Sequence, residues 1–300
     1  MDNMQKLKLS QEVCAQKYAT MKWEKPVSLW HWEDIFSEKK PITPLDLDDL
    51  KDTLSDVAGL EKKGVKFYTL KNAPKHLKDF ALERFSSHKF FHRLDYFGFS
   101  KSKSFFIVTV PKNVSVDLSL LNSMGEQCVQ LFVFLDEGAV ARVSETLHNN
   151  VLSHEIMSFG STFLYFTLSK NARLDYFFAS INQRKHHAYR HVYLLDDAQV
   201  NFYPFLKAKN YEHIACIVEH AGMRTKARMI GLLDSWESAR VYLRLINHHV
   251  GDNTFGEIIF HALARDVSLM HIDGLIHIEK GAKKTESHLQ ERALITTEEA

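Results

Sequence analysis

A mainly β chain, wound as a β-solenoid behind a smaller α-helical N-terminal region, is what this sequence predicts. Three observations predict it. One turn-and-strand phrase is written five times: "DEGAVARVSE" from Asp136, "SKNARLDYFF" from Ser169, "LLDDAQVNFYPF" from Leu194, "DSWESARVYLRL" from Asp234 and "ARDVSLMHIDG" from Ala264. From about Phe105 onward the segments are strand-length, β-branched and aromatic, and turns punctuate them. Two later segments also superpose at one fixed offset: His220 falls on His249, Gly222 on Gly251, Thr225 on Thr254, Ile230 on Ile259, Glu237 on Asp266 and Ala239 on Ser268. Matching at a fixed period marks a stacked unit, and period-two alternation within each unit marks strands.

Residues 1–95 read as the helical region. In "SQEVCAQKYATMKW", Ser10 is an N-cap candidate, with Val13, Tyr18 and Met21 on one face. In "TPLDLDDLKDTLSDVAGLEKK", Thr43 caps, Pro44 takes the first helical position, and Leu47, Leu50, Leu54 and Val57 form the buried stripe. Gly59 and Gly64 bracket its end. "APKHLKDFALERFSSH" repeats the plan with Leu77, Phe80, Ala81 and Phe85. The aromatic, Pro-broken "WEKPVSLWHWEDIF" reads as a packing loop.

Residues 96–300 read as the coil. "SFFIVTVPKNVSVDLSLL" is a strand with Pro111 at its end, and "QCVQLFVFLDEGAVARVSETL" is strand, acidic turn, strand. In a coil, Ala198, Ala239 and Ser268 sit at tight bends. Val200, Val241 and Met270 then point inward, and Gln199, Arg240 and Leu269 point outward. Each rung satisfies the backbone groups of the next. Independent hairpins of a β-sandwich fit the same residues.

Composition bounds the function. The 300 residues are 45% hydrophobic and 25% charged with a net charge of +1, which gives no reason to expect nucleic acid or a charged membrane surface. No apolar run approaches the roughly 18 residues needed to span a bilayer. The start, "MDNMQKLKLSQEV", has no apolar signal-like stretch. Cys14, Cys128 and Cys216 are sparse and far apart, which argues against a disulfide framework and for a reducing cytoplasm.

The 17 histidines invite a metal reading. His186, His187 and His191 cluster, and His248 and His249 precede a turn. There is no HxH or HExxH, and neighbours on a strand face opposite ways, so His186 and His187 do not share one ion. His220 and His249 are expected to stack about 4.8 Å apart across rungs, as structural caps ahead of metal ligands. Cys216, in the alternating strand "HIACIVEH", reads as a buried small hydrophobe ahead of a sulfur or cluster ligand. Walker A, GxGxxG and GxSxG motifs are missing. "EKGAKK" and "QRKHH" read as solvated turns. An enzyme reading, metal- or carbohydrate-active on a β-helix or cupin-like barrel, finds Glu257 and Asp266 as its nearest carboxylates, and nothing in the sequence brings them together. No residue is assigned as catalytic, cofactor-binding or metal-ligating.

The final segment, "GLIHIEKGAKKTESHLQERALITTEEA" from Gly274 to Ala300, resembles the core of the SufB/SufD family of iron–sulfur cluster assembly proteins. The matching features are the Gly-hydrophobic strand (Gly274, Ile276, Ile278), Ala282, Thr285, and the leucine-bearing strand with Ala293, Leu294, Glu299 and Ala300. "HHVGDNTFGEIIFHALARDVSLMHIDG" and "FFIVTVPKNV" are similar to earlier parts of the family pattern. The resemblance spans roughly 105–300 and implies a right-handed parallel β-helix. It also implies a SufD-like member, since only Cys14 lies near the N-terminus, where SufB-type members often carry extra cysteines. Such a member is a scaffold rather than an enzyme. It pairs with a SufB-type protein and a SufC-type ATPase, or with a second copy of itself as a homodimer. It holds no stable cofactor, with an iron–sulfur cluster passing transiently through the complex. Relatives continue into a Pro-x-Leu-Glu segment, a Ser-His-Gly-Ala stretch and a helical tail. The sequence shows none of these, so the resemblance implies a member without the usual C-terminal segment, and no cluster ligand is carried over.

Overall fold

The structure, a computed structural model, describes residues 3–20, 46–87, 93–122, 128–148, 159–182 and 185–297. Five helices are described: α1 (Asn3–Thr20), α2 (Leu47–Asp52), α3 (Val57–Lys62), α4 (Lys75–Ser87) and α5 (Arg93–Lys101). A short strand, β1 (Lys66–Thr69), lies between α3 and α4. The rest of the chain alternates between two sheets. The first sheet holds β2 (Ser104–Val110), β4 (Cys128–Leu135), β6 (Phe159–Leu168), β8 (Lys185–Leu194), β10 (Tyr211–His220), β12 (Arg240–His249) and β14 (Leu269–Ile278). The second holds β3 (Ser115–Asn122), β5 (Val140–His148), β7 (Arg173–Asn182), β9 (Gln199–Ala208), β11 (Lys226–Ser235), β13 (Phe255–Ala264) and β15 (Glu286–Ile295). Each strand pairs in parallel with the next of its own sheet, and β1 joins antiparallel to β2. This is a parallel β-solenoid of about six turns, not a sandwich of hairpins.

The repeat offset is the pairing register. His220 faces His249, Ala227 faces Gly256, and Ile230 faces Ile259. Ala198, Ala239 and Ser268 are buried at bends, followed by inward Val200 and Val241 and a half-buried Met270, while Leu269 is 41% exposed.

The five recurring phrases belong to two bends, which corrects the reading of one. After the strands of the first sheet, Gly138, Asn171 and Asp197 adopt φ of 67°, 60° and 60°. The next N–H, of Ala139, Ala172 or Ala198, closes a four-residue turn onto the carbonyl of Asp136, Ser169 or Leu195. At the opposite edge the left-handed residues are Glu237 (54°) and Asp266 (56°), each two positions ahead of the small residue. There Ala239 and Ser268 donate to the carbonyls of Trp236 and Arg265. A positive φ at the third turn position belongs to type II geometry, and at the second to the primed types. Both bends end in a buried small residue, so the sequence writes them alike.

The N-terminal region departs further from expectation. Ser10 lies inside α1, its hydroxyl donating to the Lys6 carbonyl, and is no cap. Among the described side chains of α1, Leu7 and Cys14 are buried, while Val13 is 41% exposed. The stripe from Leu47 to Val57 is split between α2 and α3. Asp46 caps α2 through a capping box. Leu54 then leaves helix to bridge Leu120, and Asp56, at φ 54°, starts α3 by accepting from the Gly59 N–H. Gly59 therefore lies inside α3. The helix α5, Arg93–Lys101, runs past the expected end of the helical region at residue 95 into the part read as coil. Residues 21–45, with Met21, Thr43, Pro44 and "WEKPVSLWHWEDIF", lie outside the described residues, as do the side chains of Tyr18 and Phe85.

Two cores result. Inside the coil, aliphatic and aromatic residues such as Val143, Phe166, Phe202, Met229 and Leu243 are sealed, and Leu50, Leu54 and Leu60 close the first rung. On the outer face of the first sheet, Phe163, Tyr165, Tyr189 and Ile217 pack with Leu7, Cys14, Ala81 and Phe99 of the helices.

Candidate functional site

On that outer seam, α5 lies against the first sheet at Gly98, where an added Cβ would fall 2.3 Å from Ser161 Oγ. The close approach brings Asp95 to His187, with Oδ1 2.8 Å from Nε2. Ser161 Oγ lies 2.8 Å from His187 Nδ1. The order Ser–His–Asp is that of a hydrolase relay, but the ring nitrogens are exchanged: Nδ1 faces the serine and Nε2 the aspartate. All three are at most 1% exposed, under the helix, so the serine has no approach for a substrate. His213 places Nδ1 3.9 Å from the same Asp95 oxygen. With metal bonds of about 2.1 Å, two ligands at a right angle sit about 3.0 Å apart. Asp95 and His187 are already closer than that, at ordinary hydrogen-bond distance, and all three residues are buried. The geometry describes a polar seam that pins α5 to the sheet. His187, His213, Tyr242 and His271 continue it as stacked rings, with centroids 5.1, 4.9 and 5.0 Å apart.

Inside the coil runs a second polar band. Arg190 of β8 points inward and forks onto Glu145 of β5, Nε to Oε2 at 2.8 Å and Nη2 to Oε1 at 2.6 Å. Its Nη1 donates to the Thr162 carbonyl, and the Tyr176 hydroxyl donates to Glu145. A cavity of about 20 Å³ beside Glu145 and Thr162 has room for one water. One rung on, Cys216 faces Arg190 and Glu212 faces His186 in register. Burial pushes the Cys216 thiol up to about 12, against the lowering charge of Arg190, so the thiol is held protonated. Burial likewise lifts Glu212 to about 8, only partly opposed by the Ser180 hydroxyl. His186 sits near Thr162 Oγ1 at 3.3 Å and is held neutral by burial and then by Arg190.

The other histidines fall where strand parity sends them. His186 points into the coil and His187 out of it, so "QRKHH" is not a solvated turn at these two positions; residues 183–184 are outside the described set. His220 and His249 stack at 4.3 Å and 11°, each Nδ1 2.8 Å from the hydroxyl of Thr225 or Thr254. They cap the bend, as expected. His191 Nε2 lies 3.2 Å from Glu219. Burial alone would raise the Glu219 carboxyl, but the adjacent His191 ring, with Arg84, holds it near 2. Further along the same face, His248, His277 and Glu279 converge at the surface. Glu257 pairs with Arg228 at 3.3 Å, and Asp266 lies in the turn beyond the far end of β13, so these two carboxylates form no pair.

Residues 120–300 match the SufBD core domain of SUF-system iron–sulfur cluster assembly. The chain belongs to the SufB/SufD family. No curated protein matches it closely enough to count as a relative. The SufB/SufD core takes in the whole interior band and both exposed and buried histidine ladders, whereas Asp95 and Arg84 precede it. Among the described residues of this SufB/SufD chain, no helix is long and apolar enough to cross a membrane. Sequence reading singled out the histidines and Cys216 but passed over Asp95, Glu145, Arg190 and Glu212. The available signal was parity: Glu145, Arg190 and Glu212 stand at inward positions of alternating strands.

Proposed function

We propose that the protein is a SufD-like scaffold subunit of the SUF machinery, paired with a SufB-type protein and served by a SufC-type ATPase. The observation that carries this reading is the SufBD core match across the coil. Three further features support it. Cys14, Cys128 and Cys216 are all buried, so none offers an exposed thiolate to hold a cluster on this chain alone. The hydrolase-like trio is sealed beneath α5. The outward face of the second sheet carries an apolar stripe, with Phe177, Phe205, Ile230 and Leu232 each 38–43% exposed, which suits a protein partner. In this reading the protein is cytoplasmic, holds no stable cofactor, and carries an iron–sulfur cluster only transiently within the complex.

Co-expression with SufB-type and SufC-type proteins of the same genome tests the proposal. The expected result is a co-purifying complex that assembles a cluster only when the SufB-type subunit is present. A chain that stays alone, or pairs only with itself, under conditions where SufB-type and SufC-type proteins associate would overturn it.

A further inference from the structure

The parallel register carries a second consequence on the outward face of the first sheet. His248 of β12 and His277 of β14 are paired residues, so their rings stack, with centroids 4.8 Å apart. Glu279 follows β14 by one residue, and its N–H bonds to the His249 carbonyl, which holds the backbone there against β12. Its Oε1 lies 3.0 Å from His248 Nε2 and 3.8 Å from His277 Nε2. All three ligand atoms lie within 4.8 Å of one another.

We propose that His248, His277 and Glu279 form a binding site for a borderline divalent transition metal of the zinc type. With bonds of about 2.1 Å, separations of about 3.0 and 3.8 Å correspond to ligand angles of about 90° and 130°, within what such ions accept. The two imidazoles must lean together slightly, and His277, 53% exposed, is free to rotate toward the point. Two imidazoles and one carboxylate are the donor set that imidazole-preferring ions select over calcium or magnesium. The surroundings separate this site from the buried trio at Asp95. His248 is 26% exposed and Glu279 46%, so water or a partner's side chain can complete the coordination shell. The next residue along the ladder is another carboxylate, Glu219, paired with His248 in register and already engaged by Arg84 and His191. The site does not depend on the proposed role in cluster assembly.

The test uses the tag-free full chain, Zn²⁺ in competition with a chromophoric chelator, and Co²⁺ absorption as a coordination readout. The wild type is expected to bind one equivalent of Zn²⁺ tightly enough to compete and to give ligand-field bands with Co²⁺. His248→Ala with His277→Ala should weaken Zn²⁺ binding at least about tenfold. Glu279→Gln, which keeps the size of the side chain, should weaken it severalfold, with circular dichroism showing both variants folded. No Zn²⁺ binding by the wild type, or equal affinity in either variant, overturns the site.

Discussion

Arg190 and Glu145 form a bidentate ion pair across the inside of the coil, both at most 1% exposed and joining strands from opposite sheets. Removing one partner of such a pair strands a buried charge. Arg190→Ala is expected to cost about 3–5 kcal/mol, and the double replacement Arg190→Met with Glu145→Leu much less. Urea unfolding of the three proteins checks this. A double variant as unstable as the single one would mean that the pair is not the source of the loss.

Glu212 makes stability fall as pH rises. Its folded pKa of about 8 lies above the ordinary 4.5, so the folded chain holds a proton that the unfolded chain has released. The contribution is fully present below about pH 4.5 and is lost progressively up to about pH 8. Glu212→Gln should therefore match the wild type near the lower limit and exceed it by a few kcal/mol at about pH 8.5, since each tenfold difference in proton affinity is worth about 1.4 kcal/mol. Denaturant midpoints of both proteins across that range decide the matter; a difference that does not grow with pH counts against it.

The histidine ladder works in the opposite direction. Burial, then the charge of His248, lowers His249 to about 4, and burial holds His220 well below its ordinary value. Their contribution is present above about pH 6.5 and is lost as pH falls toward about 4, because only the unfolded chain takes up the protons. The wild-type denaturant midpoint should drop over this window, and His249→Gln should flatten the drop. An equally steep fall in the variant would show that other groups govern acid unfolding.

Gly251 and Gly281 separate steric need from backbone freedom. An added Cβ on Gly251 would lie 2.1 Å from the Gly222 carbonyl oxygen of the rung below. Gly281 has φ of 114° but nothing within 4 Å of such an atom. Gly251→Ala should cost about 1–3 kcal/mol through forced separation of the bends. Gly281→Ala should cost about 1–3 kcal/mol, from its conformation alone. Thermal melts of the two variants test both costs, and a variant as stable as the wild type would refute its own.

The sequence revealed the later rungs because His220, His249 and Ile278 keep one spacing. Earlier rungs hide it. Ser104 faces Val129, Cys128 faces Ser161, and Phe159 faces Lys185, spacings of 25, 33 and 26 residues, so self-similarity fades though the architecture persists. The helix boundaries misled because Leu54 satisfies a tertiary bridge to Leu120 that local pattern does not encode. His220 and His249 were readable as caps because one fixed offset stacks them on neighbouring rungs; the threonine five residues on, which each meets, is seen only in the structure. Parity marks the inward residues but not their partners: Arg190 and Glu145 stand 45 residues apart in the interior band, and on the outer seam Asp95 meets His187 across 92. Such partners become neighbours only once the number of intervening rungs is known.

The ladder of parallel pairs also makes the molecule mechanically directional. Hydrogen bonds between rungs run along the coil axis, so tension applied along that axis loads one rung's bonds at a time and peels the stack stepwise. A pull along the strands loads all the bonds of a rung together in shear. Force applied to the coil therefore meets a soft direction and a stiff one, set by backbone geometry before any side chain is chosen.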